Sequence, residues 1–283
     1  MNKLSFNDLQ NKVCVITGGG GVIGSAIAKG LAGSGVKIGI LDIDKEIADK
    51  TASEIVKETS AEVYGIAADV LKKDSLEKAM EEIHSKLGKI DFLINGAGGN
   101  SPKATTQFEF MEPGNAENIE GGFFGLDVEA FKNVFDLNFL GTLLPTMVFT
   151  KDMVEKGKGS ILNISSMNAF RPLTKIPAYS AAKSSINNFT EWLAVHFAKM
   201  NIRVNAIAPG FFLTSQNKFL LIDEKTNQLT DRGTKIISNT PMGKFGKPDD
   251  LQGTVLYLLS DISKFVTGVV IPVDGGFNAY SGV

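Results

Sequence analysis

Tyr179 and Lys183 stand four residues apart in a stretch, Ala178 to Met200, whose pattern predicts a long helix. Residues at that spacing share a helix face, so a phenol and an ammonium would project together. A free tyrosine titrates near pH ~10 and is a poor acid–base at neutrality, but a nearby cation favours its phenolate. The pair suits proton exchange with an alcohol oxygen while a hydride leaves the adjacent carbon. Ser166 lies thirteen residues before Tyr179, just past an apolar run that reads as a strand, and its hydroxyl is suited to donate to a carbonyl oxygen. Asn138 precedes it by twenty-eight residues. Ser165 is the neighbouring alternative; the spacing to Asn138 and Tyr179 favours Ser166.

A second group could bind phosphate. Thr17-Gly18-Gly19-Gly20-Gly21-Val22-Ile23-Gly24 follows the first predicted strand and opens the first predicted helix. Glycines there permit a tight turn and close backbone approach to a pyrophosphate, while the helix start offers free N–H groups. Asp42 closes the second predicted strand, where a carboxylate accepts from ribose hydroxyls and repels a 2′-phosphate. No arginine lies in the turn or just after Asp42, so NAD is expected in preference to NADP. Asp44 is the better cap for the following helix.

These residues need a scaffold that brings strand ends together. Strands are predicted at Val13–Thr17, Val36–Leu41, Val63–Ala67, Asp91–Asn95, Ser160–Ser165, Ile202–Ile207 and near Val269–Val273. Helices are predicted at Val22–Ala32, Lys45–Thr59, Asp74–Leu87, Asp127–Asn138 resuming after Gly141 to about Lys156, Ala178–Met200 and Pro248–Ser260. Alternating apolar strands and helices imply an α/β, Rossmann-type, doubly wound parallel sheet with helices on both faces. One domain over residues 1–283 is expected, with mostly irregular insertions at about 99–126 and 211–247.

Composition narrows the function class. A formal net charge of −2 and no basic run give no footprint for nucleic acid. No apolar run approaches the ~18 residues of a membrane helix, and MNKLSFNDLQNK has no signal-peptide core, so a soluble cytoplasmic protein is expected. The one cysteine, Cys14, excludes an internal disulfide and reads as a buried thiol. His84 and His196 read as surface or structural residues, with no partners at metal-ligand spacing and no catalytic metal expected. Trp192 and Phe197 read as packing or subunit contacts.

Together these motifs resemble the classical short-chain dehydrogenase/reductase family from about Asn11 to Gly276. The glycine turn is similar to its TGxxxGxG, Asn95 to Gly98 to its NNAG, and Tyr179 to Lys183 to its YxxxK. The resemblance implies Tyr179 as general acid/base, Ser166 polarising the carbonyl, Lys183 on the nicotinamide ribose and lowering the Tyr179 pKa, and Asn138 supporting a water toward Lys183. It also implies Asp69 and Val70 at the adenine, Asn95, Gly96 and Ala97 along the adenosine ribose side, and Pro209, Gly210, Phe212 and Thr214 toward the nicotinamide. A homotetramer is implied as well. Two positions depart from the pattern. Val22 stands at the second turn glycine, with Gly21 one place earlier, and Gly96 stands at the second position of NNAG.

Substrate residues are sought around the carboxyl edge of the sheet, where ligands bind in such folds. Lys103, Asn168, Arg171 and Arg232 are the candidates, the arginines because a guanidinium suits a carboxylate. NGAGGNSPKATT, SMNAFRPLTKIPAYSAAK, GFFLTSQNK and PVDGGFNAYSGV resemble one subgroup, the D-mannonate oxidoreductases (D-fructuronate reductases) of the short-chain type. That resemblance implies a sugar-acid substrate. A dehydrogenase of another polyol or sugar acid, such as gluconate 5-dehydrogenase, is the nearer alternative, and a non-catalytic NAD-binding sensor the more distant one.

Overall fold

A computed structural model describes residues 5–214 and 217–282; Ser215 and Gln216, within the second predicted insertion, lie outside it. Seven strands form one wholly parallel sheet: β1 (Val13–Thr17), β2 (Lys37–Asp42), β3 (Val63–Ala67), β4 (Phe92–Asn95), β5 (Gly159–Ile164), β6 (Ile202–Pro209) and β7 (Val270–Val273). The spatial order is β3-β2-β1-β4-β5-β6-β7. Chain order reverses between β1 and β4, and the crevice at such a point, outside the strand carboxyl ends, is where ligands bind.

Eight α-helices are found among the described residues. They are α1 (Val22–Ala32), α2 (Lys45–Thr59), α3 (Lys73–Lys86), α4 (Val128–Lys156), α5 (Pro177–Phe197), α6 (Lys218–Leu221), α7 (Asp231–Ser238) and α8 (Gln252–Leu259). On one face, Cys14, Ile16, Ile38 and Ile40 pack with Ile27 and Leu31 of α1, Ala52 of α2 and Leu258 of α8. On the other, Val13, Val15, Leu41 and Leu93 pack with Leu76 of α3, Phe149 of α4 and Leu193 of α5. Burial on both faces explains the unbroken apolar strands. Cys14 is buried, and burial pushes its thiol upward.

Local signals hold where they were strong. Asp44 caps α2, its carboxylate accepting from Glu46 and Ile47 N–H. Asp127 caps α4 by accepting from Ala130 N–H. Two readings change. α4 runs through Gly141 and Pro145 without a break, Thr142 and Thr146 bonding back to the carbonyls of Asn138 and Thr142. Gly141 is needed there for packing, since an added Cβ would stand 3.1 Å from Val70. The 211–247 segment carries α6 and α7, the latter capped by the Thr230 hydroxyl accepting from Gly233 N–H at 3.0 Å.

Candidate active site

At the reversal point β1 and β4 leave the sheet side by side, and the backbones come too close for side chains. Gly18 has φ +62°, and a Cβ there would stand 2.8 Å from the Ala97 Cα. At Gly96 a Cβ would stand 2.8 Å from the Thr17 carbonyl oxygen. The Thr17 hydroxyl accepts from both Gly96 and Ala97 N–H, at 3.1 and 3.2 Å, and locks the two turns together. The Gly96 departure is therefore suited to this close pairing. Val22 raises no conflict either: Gly21 is the N-cap and Val22 the first residue of α1. Gly24 meets the turn from the helix side, a Cβ there falling 2.5 Å from the Gly18 carbonyl oxygen.

A cleft of about 720 Å³ opens over this point. Gly18, Gly21, Val22, Ile23 and Gly24 line its floor, and α1 starts there with no side-chain cap and no acidic residue in its first turn. An uncapped helix start of this kind presents N–H groups and a positive dipole end to an anion. At one end stand Asp42 and Asp69. The Leu71 N–H, at 3.0 Å, and then Lys72 hold the Asp69 carboxyl below its ordinary range. Gly20 leaves room for Asp42, since a Cβ there would lie 2.8 Å from the carboxylate. Val70, Gly96, Ala97, Gly210, Phe212 and Thr214 also line the cleft, whereas Gly20, Asn138 and Ser166 stand outside its lining. The shape and chemistry fit a dinucleotide: glycine backbone in the middle, a carboxylate at the ribose position, and polar catalytic groups at the far end.

At that far end Tyr179 and Lys183 line the cleft on α5. Pro177 starts the helix at its first turn, and the Lys183 side chain reaches back to the carboxyl end of β5. Lys183 is 4% exposed and donates to the Ile164 carbonyl at 2.8 Å. Burial lowers its ammonium to about 8. Its Nζ stands 5.6 Å from the Tyr179 ring centroid. Burial pushes the Tyr179 phenol up, and a hydrogen bond with the Ser166 side chain pulls the other way. The phenol is thus raised in this state, loss of water being the larger of the two causes. Ser166 and Ser165 separate cleanly. The Ser165 hydroxyl turns into the protein, donating to Asn187 Oδ1 at 2.5 Å, whereas Ser166 faces the phenol.

Asn138 is fully buried and grips the other wall. Its amide donates to the carbonyls of Gly99 and Val134, each at 2.7 Å, and its Oδ1 accepts from Gly99 N–H at 3.3 Å. A Cβ on Gly98 would stand 2.5 Å from Asn138 Oδ1 and 3.3 Å from Lys183 Nζ. Asn138 thus anchors the start of the 99–126 insertion directly beside Lys183.

Other expectations fall elsewhere. The Asn95 side chain points inward, donating to Thr146 and Asn163 at 2.9 and 2.8 Å. It braces β4 against β5 and α4, and only the backbone after it reaches the cleft. Pro209, like Asn95, is a strand end outside the lining, one residue before Gly210. Lys103, Arg171 and Arg232 are exposed and outside the cleft lining, while Asn168 is buried beside Ser166. Leu137, Ile43, Leu71 and Asn217 line the cleft without having been singled out. Ile43 directly follows the strand end at Asp42, and Leu71 follows Val70, which the family resemblance places at the adenine; those neighbours are the available clue. His84 bonds Asp152 at 2.7 Å, and His196 stacks on Trp192 at 4.7 Å between centroids. A second cavity, about 830 Å³, lies at the amino ends of β4, β5 and β6. Its Lys12, Lys156 and Lys158 are paired with Asp91 and Asp261, and none of the catalytic candidates lines it.

Residues 20–278 match the family model described as enoyl-(acyl carrier protein) reductase. The chain belongs to the short-chain dehydrogenase/reductase family. It is an oxidoreductase of that family, similar over its length to proteins of several activities. An uncharacterised oxidoreductase of Haemophilus influenzae is 51% identical, over 100% of this chain and 99% of that protein. A crystal structure from the same genus, described as a "putative D-Mannonate oxidoreductase" with bound NAD, has a TM-score of 0.92 at 51% identity, covering 97% of this chain and 98% of that one. A 2-dehydro-3-deoxy-D-gluconate 5-dehydrogenase of Formosa agariphila is 33% identical, over 97% and 96% of the two chains.

Proposed function

We propose that this short-chain dehydrogenase/reductase transfers a hydride between NAD(H) and a keto or hydroxy sugar acid, D-fructuronate and D-mannonate being the pair. The observation that carries the hydride chemistry is the convergence of Tyr179 and Lys183, with Ser166 behind the lining against the phenol, in the glycine-floored cleft that also holds Asp42. The nicotinamide, when bound, supplies or accepts the hydride. Gly18, the start of α1 and Asp42 would hold the dinucleotide, and Asp42 would disfavour a 2′-phosphate.

The side chains divide the remaining work. Ser166 donates a hydrogen bond to the substrate carbonyl oxygen. Tyr179 gives its proton to that oxygen as the alcohol forms. In oxidation the phenol must first lose a proton, and the Lys183 ammonium then stabilises the phenolate. Asn138 keeps the Gly98–Gly99 wall pressed against this centre.

The sugar-acid part rests on the 51% identity to the Haemophilus structure. A dehydrogenase of another sugar acid, such as gluconate 5-dehydrogenase, is the second reading, favoured by the 33% identical 2-dehydro-3-deoxy-D-gluconate 5-dehydrogenase. A sensor without turnover needs none of Asn138, Ser166, Tyr179 and Lys183 together, which argues against it. A homotetramer in the cytoplasm completes the proposal. Trp192 and Val195 on α5 are 57% and 80% exposed and suit a subunit contact, and no described helix is long and apolar enough to cross a membrane. The test is NADH oxidation with D-fructuronate beside 5-keto-D-gluconate and a neutral ketose. Preference for D-fructuronate is expected; preference for 5-keto-D-gluconate would move the assignment to the second reading.

A further inference from the structure

Asn217 stands at the amino end of α6, the position where an amide side chain ordinarily caps the helix it begins. Here it makes no capping bond to α6. The amide turns back along the chain instead. Its Oδ1 accepts from the Thr214 N–H at 2.9 Å, and its Nδ2 donates to the Phe212 carbonyl at 2.8 Å. The backbone N–H groups of Asn217 and Lys218 donate to the Thr214 carbonyl, at 3.2 and 3.0 Å. One side chain thus closes both ends of the Phe212–Thr214 segment, and all three residues line the cleft or flank its lining.

The opposite edge of that segment is held by backbone. The Leu213 N–H donates to the Gly246 carbonyl at 2.9 Å, and the Gly246 N–H donates to the Phe211 carbonyl at 3.0 Å. A Cβ on Gly246 would stand 2.7 Å from the Phe212 ring, which seats Phe212 at 5% exposure. In this parallel bridge the polar groups on either side of Phe212 turn to Gly246, so its own N–H and carbonyl point the other way. The carbonyl meets Asn217, and the N–H meets no acceptor among the described residues. A donor whose neighbours are fixed on both sides is preorganised for a ligand.

We infer that Asn217 is a positioning residue that holds the Phe212–Thr214 edge of the cleft in the arrangement that receives the nicotinamide end of the dinucleotide. This rests on the cofactor placement proposed above. Asn217 acts through the main chain of Phe212 and Thr214, so that segment does not have to be ordered at the moment of binding. The adenosine and pyrophosphate parts fall to Gly18, the start of α1 and Asp42, none of which Asn217 bonds.

The test separates the two halves of the cofactor. NADH and ADP-ribose, which lacks the nicotinamide, are titrated against wild type, Asn217→Ala and Asn217→Asp, NADH by its fluorescence and ADP-ribose by calorimetry. Asn217→Ala is expected to raise the Kd for NADH about tenfold and to change that for ADP-ribose less than about twofold. Asn217→Asp, which keeps the acceptor for the Thr214 N–H and loses the donor to Phe212, should fall between. Each Kd is read on folded protein, so partial unfolding of a variant does not imitate the split. Equal weakening of both ligands would show that Asn217 supports the cleft as a whole, and unchanged binding of both would show that the Gly246 bonds hold the segment unaided; each overturns the inference. Wild type that binds ADP-ribose as tightly as NADH also overturns it, since there is then no nicotinamide contact to position. The readout needs no ketone. Wild type that binds NADH but reduces none of the ketones above defeats the sugar-acid reading, while the ratio of the two ligands still decides the role of Asn217.

Discussion

The two ends of the cleft are built by different physics. The cofactor end is made of backbone: Gly18, Gly24 and Gly96 meet other main-chain atoms at distances no side chain fits, and the Thr17 hydroxyl ties β1's turn to β4's. The other end is made of side chains, Tyr179 and Lys183 of α5 with Asn138 of α4 beside them, while the 99–126 and 211–247 segments are tied to each other by single contacts such as the Glu109–Lys235 ion pair. A parallel sheet offers few ways to bring a pyrophosphate to its switch point, so glycine spacing there says much. A loop wall offers many ways to present a cation or an amide, so residue type alone says little.

That contrast predicts how unequally changes will act. The largest effect belongs to the chemical centre joining the two ends. Tyr179→Phe is expected to lower kcat by about 10²–10⁴-fold with NADH binding retained, read by steady-state rates beside cofactor fluorescence. Retained activity would remove Tyr179 from its role. Gly96→Ala forces a Cβ against the Thr17 carbonyl. We expect about 1–3 kcal/mol of destabilisation in a denaturant titration, together with weakened NADH binding. An unchanged midpoint would mean that the two turns can part more easily than their packing implies. Asp42→Ala should raise the NADPH-to-NADH ratio of kcat/KM by about 10- to 100-fold, since a hydrogen-bonding carboxylate is lost and a repulsive charge removed.

Lys183 carries a prediction of opposite sign for stability and activity. Burial lowers its ammonium from 10.5 to about 8. Between those values the unfolded chain holds more protons than the folded one, so stability rises with pH across that window. Below about 8 the full cost of the buried ammonium is present, on the order of 3 kcal/mol. Lys183→Met is therefore expected to melt higher than wild type at pH 7, by an advantage that shrinks as pH approaches 10.5, while turnover collapses. A lower melting temperature at pH 7 would show that the bond to the Ile164 carbonyl outweighs the burial cost. The smallest effect is on the substrate side. Glu109→Ala cuts an exposed, solvent-screened pair, so a KM change of at most a few-fold with unaltered NADH binding is expected.

The same contrast explains what could be read from the chain. β1, β3, α1 and α2 begin and end where the apolar period and the caps place them. The glycine turn, Asp42, Tyr179 and Lys183 meet in one cleft because each sits at a strand end or on one helix face. Asn95 was misplaced because its backbone is at the cleft while its amide braces Asn163 and Thr146, a choice of direction that no local pattern encodes. α7 was hidden in a polar segment, although Thr230 and Asp231 mark its start. Lys103, Arg171 and Arg232 carry the charge wanted for a carboxylate but sit exposed outside the cleft, and Asn168 is buried outside its lining, because residue type alone does not encode which way a loop side chain faces.

The most direct test of the central claim is incubation of the purified protein with NADH deuterated at the transferring position and D-fructuronate, followed by mass analysis of the product. The account predicts D-mannonate carrying one deuterium on the new carbinol carbon. Unlabelled D-fructuronate recovered from a protein that binds NADH would contradict it.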